Sequence, residues 1–298
     1  MKCPFFSQTF EHTHPPCERV NLPPFNELIV SWNGLRPVVG KWTFWVSLRQ
    51  TEWSPWLKYA EWSYLSQKTF KNEGGFAKTY QDAAFPKEGF CDGYRIKVEG
   101  EGKASLDTLF ATVTNLGEHR IIQPENLAPV MLSGAPRRSQ MILDHPRHRD
   151  LCSPTSTSTA LNYLLGHSAV CPLTFAGKVH DDEWDIYGNW ILNTAQGYQE
   201  TGGAFRPHVE RLSGFLDVHR YLLEGLPVVL SIRGPIAGAP HPYASGHLIC
   251  VIGYEKERVY CIDSGFPDDA STFASYAVSE FLTAWGRRGN IAYVFPRK

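Results

Sequence analysis

"HRDLCSPTSTSTALNYLLGH", residues 148–167, is the stretch on which the reading of the fold turns. It ends in ordinary helix formers, yet it opens with a cysteine, a proline and a run of Ser and Thr from Ser153 to Thr159. Ser153 can cap a helix, Pro154 can take the first helical position where a missing N–H costs nothing, and Gly166 can close the segment. A helix is therefore predicted over 154–165, starting directly after Cys152. A thiol placed there meets the positive end of the helix dipole and free N–H groups, and both lower its pKa below about 8.5. The small side chains that follow let a sheet and a general base come close to the sulfur. The alternative is that Cys152 is one of 7 cysteines and an inert buried thiol.

Downstream the pattern is α+β. Helices are predicted at about 189–200, 214–224 and 276–285, the second of these stopped by Gly225 and Pro227. "PVVLSI", "HLICVIGY", "RVYCID" and "NIAYVF" supply apolar strands, and "LICVIG", apolar without alternation, is expected at the centre of a sheet covered on both faces. His247 stands at the mouth of that strand, after Gly246, where a general base for a thiol belongs. Asp263 ends the next strand; if the two strands form a hairpin through "YEKERV", its carboxylate lies beside His247 and can fix the imidazole tautomer. Gln140, twelve residues before the cysteine, can donate to a tetrahedral oxyanion alongside the Cys152 N–H. Taken singly, these three also read as a structural histidine, a turn former and a linker residue. Pocket walls are expected from "PIAGAPHPYAS" and from residues 171–188.

Upstream, residues 27–115 carry strand patterns. In "KWTFWVSLRQ" Trp42, Phe44, Val46 and Leu48 fall on one side and Lys41, Thr43, Ser47 and Arg49 on the other, and "DGYRIKVEG" repeats the period of two. With "ELIVSWN", "PWLKYAEW" and "SLDTLFATVTN" they predict an antiparallel sandwich in which about half of the tryptophans fill the core. The Pro-, Arg- and His-rich segment that follows reads as a connector. The division expected is an N-terminal extension at 1–25, a β-sandwich at 26–116, a linker at 117–136 and a second domain at 137–298. Its aromatic wealth allows ligand binding by the sandwich as a further option.

The 298 residues are 43% hydrophobic and 20% charged, with 9 Trp, 13 Tyr and 17 Phe, a globular composition. A net charge of −1 with dispersed Lys and Arg gives no footprint for nucleic acid or an anionic membrane. No apolar run has the length of a signal peptide or a membrane span. An odd number of cysteines without a regular framework fits a reduced compartment, so a cytoplasmic location is the default. "DHPRHRD" holds His145, His148, Asp144 and Asp150, but Pro146 and two arginines make a solvated loop of it rather than a metal site. His180, Asp181 and Asp182 read as a polar turn bordering the cleft.

"LCSPTSTSTALNYLLG", "LLEGLPVVLSI" and "GHLICVIGYEKERVYCIDS" resemble the nucleophile helix, apolar strand and His and Asp strands of papain-like cysteine peptidases of the bacteriocin-leader-processing type, family thirty-nine of that class. The resemblance covers residues 137–296. Ser153 stands where the family motif has glycine, as in a bacterial subgroup with an N-terminal β-sandwich and a Ser-Gln-Met triplet, here Ser139, Gln140 and Met141. It implies an α+β fold: an N-terminal antiparallel β-sandwich, then a papain-like cysteine peptidase domain with its nucleophile helix packed on an antiparallel sheet. Implied roles are Cys152 nucleophile, His247 base, Asp263 orienter and Gln140 oxyanion donor, with a peptide or protein substrate and no metal or organic cofactor. Relatives of that subgroup are often secreted. A thiol acyltransferase of transglutaminase type and an inactive peptidase-fold binding module remain as alternatives, the latter if Ser153 crowds the oxyanion site. Oligomeric state is not legible.

Overall fold

Alternating apolar residues in the first part of the chain become the strands β1 (Phe6–Thr9), β2 (Cys17–Arg19), β3 (Glu27–Gly34), β4 (Lys41–Arg49), β5 (Leu57–Ser63), β6 (Gln67–Thr69), β7 (Asn72–Gly74), β8 (Ala77–Tyr80), β9 (Ala83–Pro86), β10 (Gly93–Gly100) and β11 (Leu106–Thr114). The computed structural model describes residues 6–9, 17–100, 106–118 and 127–298. Most of the N-terminal segment read for an export signal, and 119–126 of the expected linker, lie outside them.

These strands pair antiparallel in two sheets, of order β1-β11-β3-β9-β8-β7 and β2-β10-β4-β5-β6. Trp42, Phe44, Val46 and Leu48 of β4 are all buried, each worth about 1.5–3 kcal/mol of apolar transfer. Trp32 of β3 closes the sandwich, stacking on Phe44 at 4.0 Å and meeting Trp62 edge-on at 6.0 Å. The half-buried Trp45, Trp53 and Trp56 instead carry the Arg95 and Lys97 cations on their faces. Strands of only 3 or 4 residues, such as β1, β2 and β6 to β9, escape the sequence pattern because they are too short to alternate. β1 and β2 arise from the expected N-terminal extension and join one sheet each.

The rest of the chain runs β12 (Val130–Met131), α1 (Cys152–Leu165), α2 (Pro172–Val179), α3 (Trp190–Glu200), β13 (His208–Arg211), α4 (Phe215–Leu223), β14 (Val228–Gly234), β15 (Tyr243–Glu255), β16 (Arg258–Ile262), β17 (Phe273–Ala277), α5 (Val278–Gly286) and β18 (Ile291–Val294). Its antiparallel sheet has the order β13-β18-β14-β15-β16-β17, with β12 added against the far end of β15. β15 lies between β14 and β16 and is buried from His247 to Tyr254, as its unbroken apolar run predicts. α1 packs on β15 and β14. The unforeseen α2 is short, with Pro172 at its first position and too few residues to show a helical period.

Buried polar contacts lock the sandwich to the second unit. β3 is buried at all 8 positions because its outer face carries α3 and β13. Arg36, after β3, donates from its side chain to Ser63 O at 2.8 Å, Gln67 Oε1 at 2.6 Å, Lys178 O at 2.6 Å and Gln196 Oε1 at 3.0 Å. Asp181, expected in a polar turn, is fully buried and accepts from the Thr69 hydroxyl at 2.5 Å. Arg211 of β13 forms a buried ion pair with Glu27 of β3, Nη2 to Oε1 at 2.7 Å. No helix among the described residues is long and apolar enough to cross a membrane.

Candidate active site

α1 begins at Cys152 itself, with Leu151 at the N-cap, so the capping role expected of Ser153 is a misreading. Leu151 O accepts the Thr155 N–H at 3.0 Å, which makes Pro154 the third helical residue, still inside the turn whose N–H groups lack helical partners. The Ser153 hydroxyl turns inward to the Tyr293 hydroxyl at 3.0 Å. No side chain caps the helix, and this has a chemical consequence: the Ser153 N–H is left for the Cys152 sulfur. Ser156 Oγ donates to Leu248 O at 2.8 Å, which draws α1 onto β15 and explains small polar residues on that face. The hydroxyls of Thr155, Thr157, Ser158 and Thr159 are buried and have no hydrogen-bond partner among the described residues.

The β15–β16 hairpin pairs Cys250 with Ile262, so His247 and Asp263 fall at the same end of the sheet. His247 Nε2 lies 2.8 Å from Asp263 Oδ1, which leaves Nδ1 as the ring nitrogen for the sulfur. Tyr243 stacks on the imidazole at 4.1 Å and donates its hydroxyl to Asp263 Oδ2 at 2.6 Å; Tyr276 donates to the same oxygen at 2.6 Å. Gly265 N–H donates to Oδ1 at 2.9 Å. A Cβ on Gly265 would stand 3.0 Å from the Tyr243 hydroxyl, so the glycine after Asp263 keeps that contact open. The two tyrosines were not legible as site residues, since nothing in the local pattern ties either to Asp263.

Burial works against each charge in this chain of groups, and the neighbours outweigh it. Asp263 is fully buried, which would raise its pKa, but His247 and the two tyrosine hydroxyls hold it well below the usual carboxylate range. Burial would likewise lower His247, yet the Asp263 carboxylate and Cys152 push it up. For Cys152 burial raises the pKa, while the hydrogen bond and charge of His247 and the N–H groups of Leu248 and Ser153 bring it below that of an ordinary thiol. The arrangement favours a thiolate beside an imidazolium.

Gln140 is buried next to this group. Its N–H donates to Ser264 O at 2.9 Å, Oε1 accepts from Ser264 Oγ at 2.8 Å, and Nε2 reaches the carbonyls of His148 at 3.1 Å and Arg149 at 2.7 Å. The amide thus ties the residue after Asp263 to the turn before Cys152. Gln140, Cys152 and His247 line a cleft of about 870 Å3, and Asp263 meets it only through its bond to His247. The expected walls contribute His241 to Ser245 and Ile186 to Gly188; the sandwich adds Glu27 and Tyr80 to Ala83, a wall that sequence reading missed. Among the described residues no group of three or more His, Cys, Asp or Glu side chains could hold a metal, and Cys17, Cys91, Cys152, Cys171, Cys250 and Cys261 are free thiols.

The model of the Peptidase_C39 like family matches residues 133–293, more than half of the chain. The chain belongs to that family. The match spans the turn before Cys152, α1, the β14–β15–β16 strands and β18, so the Peptidase_C39 like region holds every residue of the group just described. No curated protein matches. Two solved structures are similar: one described as a C39-like peptidase from Bacillus anthracis, 17% identical, TM-score 0.44, over 58% of this chain and 99% of that one. The other is a double glycine motif protease from an AMS/PCAT transporter in complex with the leader peptide, 12% identical, TM-score 0.36, over 58% of this chain and 100% of that one.

Proposed function

We propose that the protein is a cysteine-type peptidase acting on a peptide or protein substrate, with 137–298 as its peptidase domain and 26–116 as a sandwich domain that walls the cleft. The observation that carries this reading is the Cys152 sulfur hydrogen-bonded to the His247 ring at the cleft, with the Asp263 carboxylate on the ring's Nε2, in a chain of the Peptidase_C39 like family. The Cys152 thiolate attacks the scissile carbonyl carbon. His247 then passes its proton to the departing amine, and a water deprotonated by His247 releases the acyl group from sulfur. Asp263, fixed by four donors, holds the imidazole in the tautomer that presents Nδ1.

The Cys152 N–H and Gln140 Nε2 are assigned to the oxyanion. The Gln140 amide donates to the carbonyls of both His148 and Arg149, so its role at the oxyanion requires one of these bonds, the longer one to His148, to be exchanged when the carbonyl of the substrate is attacked. The Ser153 hydroxyl is spent on Tyr293, which speaks against the crowding that would favour a binding module without turnover. A proteome-derived peptide library, read by mass spectrometry, tests the proposal. Discrete cleavages by the wild type that vanish in Cys152→Ala are expected; equal cleavage by both, or none by either, overturns it.

A further inference from the structure

The carboxylates along the cleft are already engaged. Glu27 is paired with Arg211, Asp82 Oδ1 accepts the Trp190 N–H at 2.6 Å, and Asp150 is paired with Arg147 at 2.8 Å. Arg147 is spent as well, since it also holds Asp185 at 2.6 Å. Arg288 differs. Its Nε donates to Ser231 Oγ at 3.2 Å and its Cζ stands 5.4 Å over the Trp190 ring. Among the described residues its two Nη groups make no hydrogen bond and it has no ion pair, although the side chain is half-buried and lines the cleft. Burial pushes its pKa below that of an ordinary arginine, with Asp82 opposing only in part and Arg233 and Arg211 adding to the fall.

Its position is fixed from two sides. The Arg288 carbonyl accepts from Arg211 Nη1 at 2.8 Å, and Arg211 is clamped by Glu27 of the sandwich. Gly246, with φ of 107°, immediately precedes His247, and a Cβ there would stand 3.8 Å from both Cζ and Nε of Arg288. The guanidinium therefore rests against the backbone one residue from the imidazole. Arg149, which also lines the cleft, is exposed and without an ion pair among the described residues and precedes Cys152 in the turn before α1. Arg149 and Arg288 are the cleft cations without an ion pair among the described residues, and Asp82, held by backbone N–H groups alone, is the one cleft carboxylate without one.

We infer that Arg288 is a specificity-determining residue whose free Nη groups receive a substrate carboxylate, from an acidic side chain or a free C-terminus, within about two residues of the scissile bond. The inference rests on the peptidase reading of the same cleft and deepens it. A half-buried guanidinium whose two Nη groups have no acceptor among the described residues favours a ligand that supplies two parallel oxygens, and a neutral amide in its place forfeits the charge-assisted bonds. The expected preference for Glu over Gln is roughly tenfold to a hundredfold in kcat/KM.

The test has two arms. The first needs no substrate: rates of Cys152 alkylation by anionic iodoacetate and neutral iodoacetamide are compared in the wild type and in Arg288→Gln. The ratio of the two rates is expected to fall roughly threefold or more in Arg288→Gln, with iodoacetamide labelling unchanged. In the second arm, library cleavage sites are scored for Asp or Glu beside the cut and for peptides ending in a free rather than an amidated carboxyl group, which separates the two sources of carboxylate. Loss of the enrichment in Arg288→Gln, with part retained in Arg288→Lys, supports the inference. An unchanged alkylation ratio, or cleavage indifferent to acidic residues and to a free C-terminus, overturns it and leaves the peptidase reading intact. If the library is not cut at all, the peptidase reading fails separately, and the alkylation ratio alone decides whether Arg288 receives anions.

Discussion

Replacing Arg36 by Met probes how firmly the sandwich is joined to the cleft-bearing unit. The guanidinium makes four side-chain hydrogen bonds to Ser63, Gln67, Lys178 and Gln196, and only 8% of the residue is exposed. Bonds from a buried charged donor are worth about 1.5–3 kcal/mol each, so the set contributes on the order of 6 kcal/mol or more. Burial pushes the pKa from 12.5 down to about 10, so desolvation of the guanidinium holds the net effect below that sum. The substitution is expected to remove about 3 kcal/mol or more, within the range seen when one partner of a buried polar network is deleted. Urea unfolding followed by tryptophan fluorescence measures it. Arg36→Lys, a single point charge without the planar fork, is expected to recover less than half. If Arg36→Met unfolds within about 0.5 kcal/mol of the wild type, the junction is held by something other than this arginine.

Other perturbations act on the site itself. Asp263→Asn removes the charge that raises His247, so the pH at which Cys152 reaches its full alkylation rate is expected to move up, as read by iodoacetamide labelling across pH. The same aspartate has a folded pKa below its unfolded value of about 3.9, so its contribution to stability is present above that value and is lost as pH falls through the folded value. Urea unfolding of wild type and Asp263→Asn at pH 5 and at acid pH should converge only on the acid side. Gly265→Ala places a Cβ 3.0 Å from the Tyr243 hydroxyl and 3.2 Å from Asp263 Oδ1. It is expected to cost about 1–3 kcal/mol by displacing a buried donor, with Tyr243→Phe giving a similar loss in the same assay.

Local signals carried the strands and helix of the candidate site. Cys152 at the start of a helix, the uninterrupted apolar run after His247 and the hairpin bringing Asp263 back are each written in a short local stretch of the sequence. The start of α1 was misplaced because Ser153 has a partner 140 residues away, Tyr293, which no window of sequence shows. Distance in sequence hid the rest for the same reason: Arg36 reaches Gln196, Glu27 reaches Arg211, and Asp82 caps α3 through Trp190. α2 and the 3- and 4-residue strands were hidden by their shortness, since a period needs more than one turn or repeat to show. Tyr243 and Tyr276 entered the site only because the hairpin and β17 fold their hydroxyls onto one carboxylate oxygen.

The pH dependence of Cys152 alkylation tests the central claim most directly. Iodoacetamide labelling of that residue, mapped by mass spectrometry from pH 4 to pH 9, is expected to gain its rate at lower pH in the wild type than an ordinary thiol does and to shift towards an ordinary thiol profile in His247→Ala. A wild-type profile that follows a free cysteine, with half of its rate gained only near pH 8.5, would contradict a thiolate held by His247 at the head of α1.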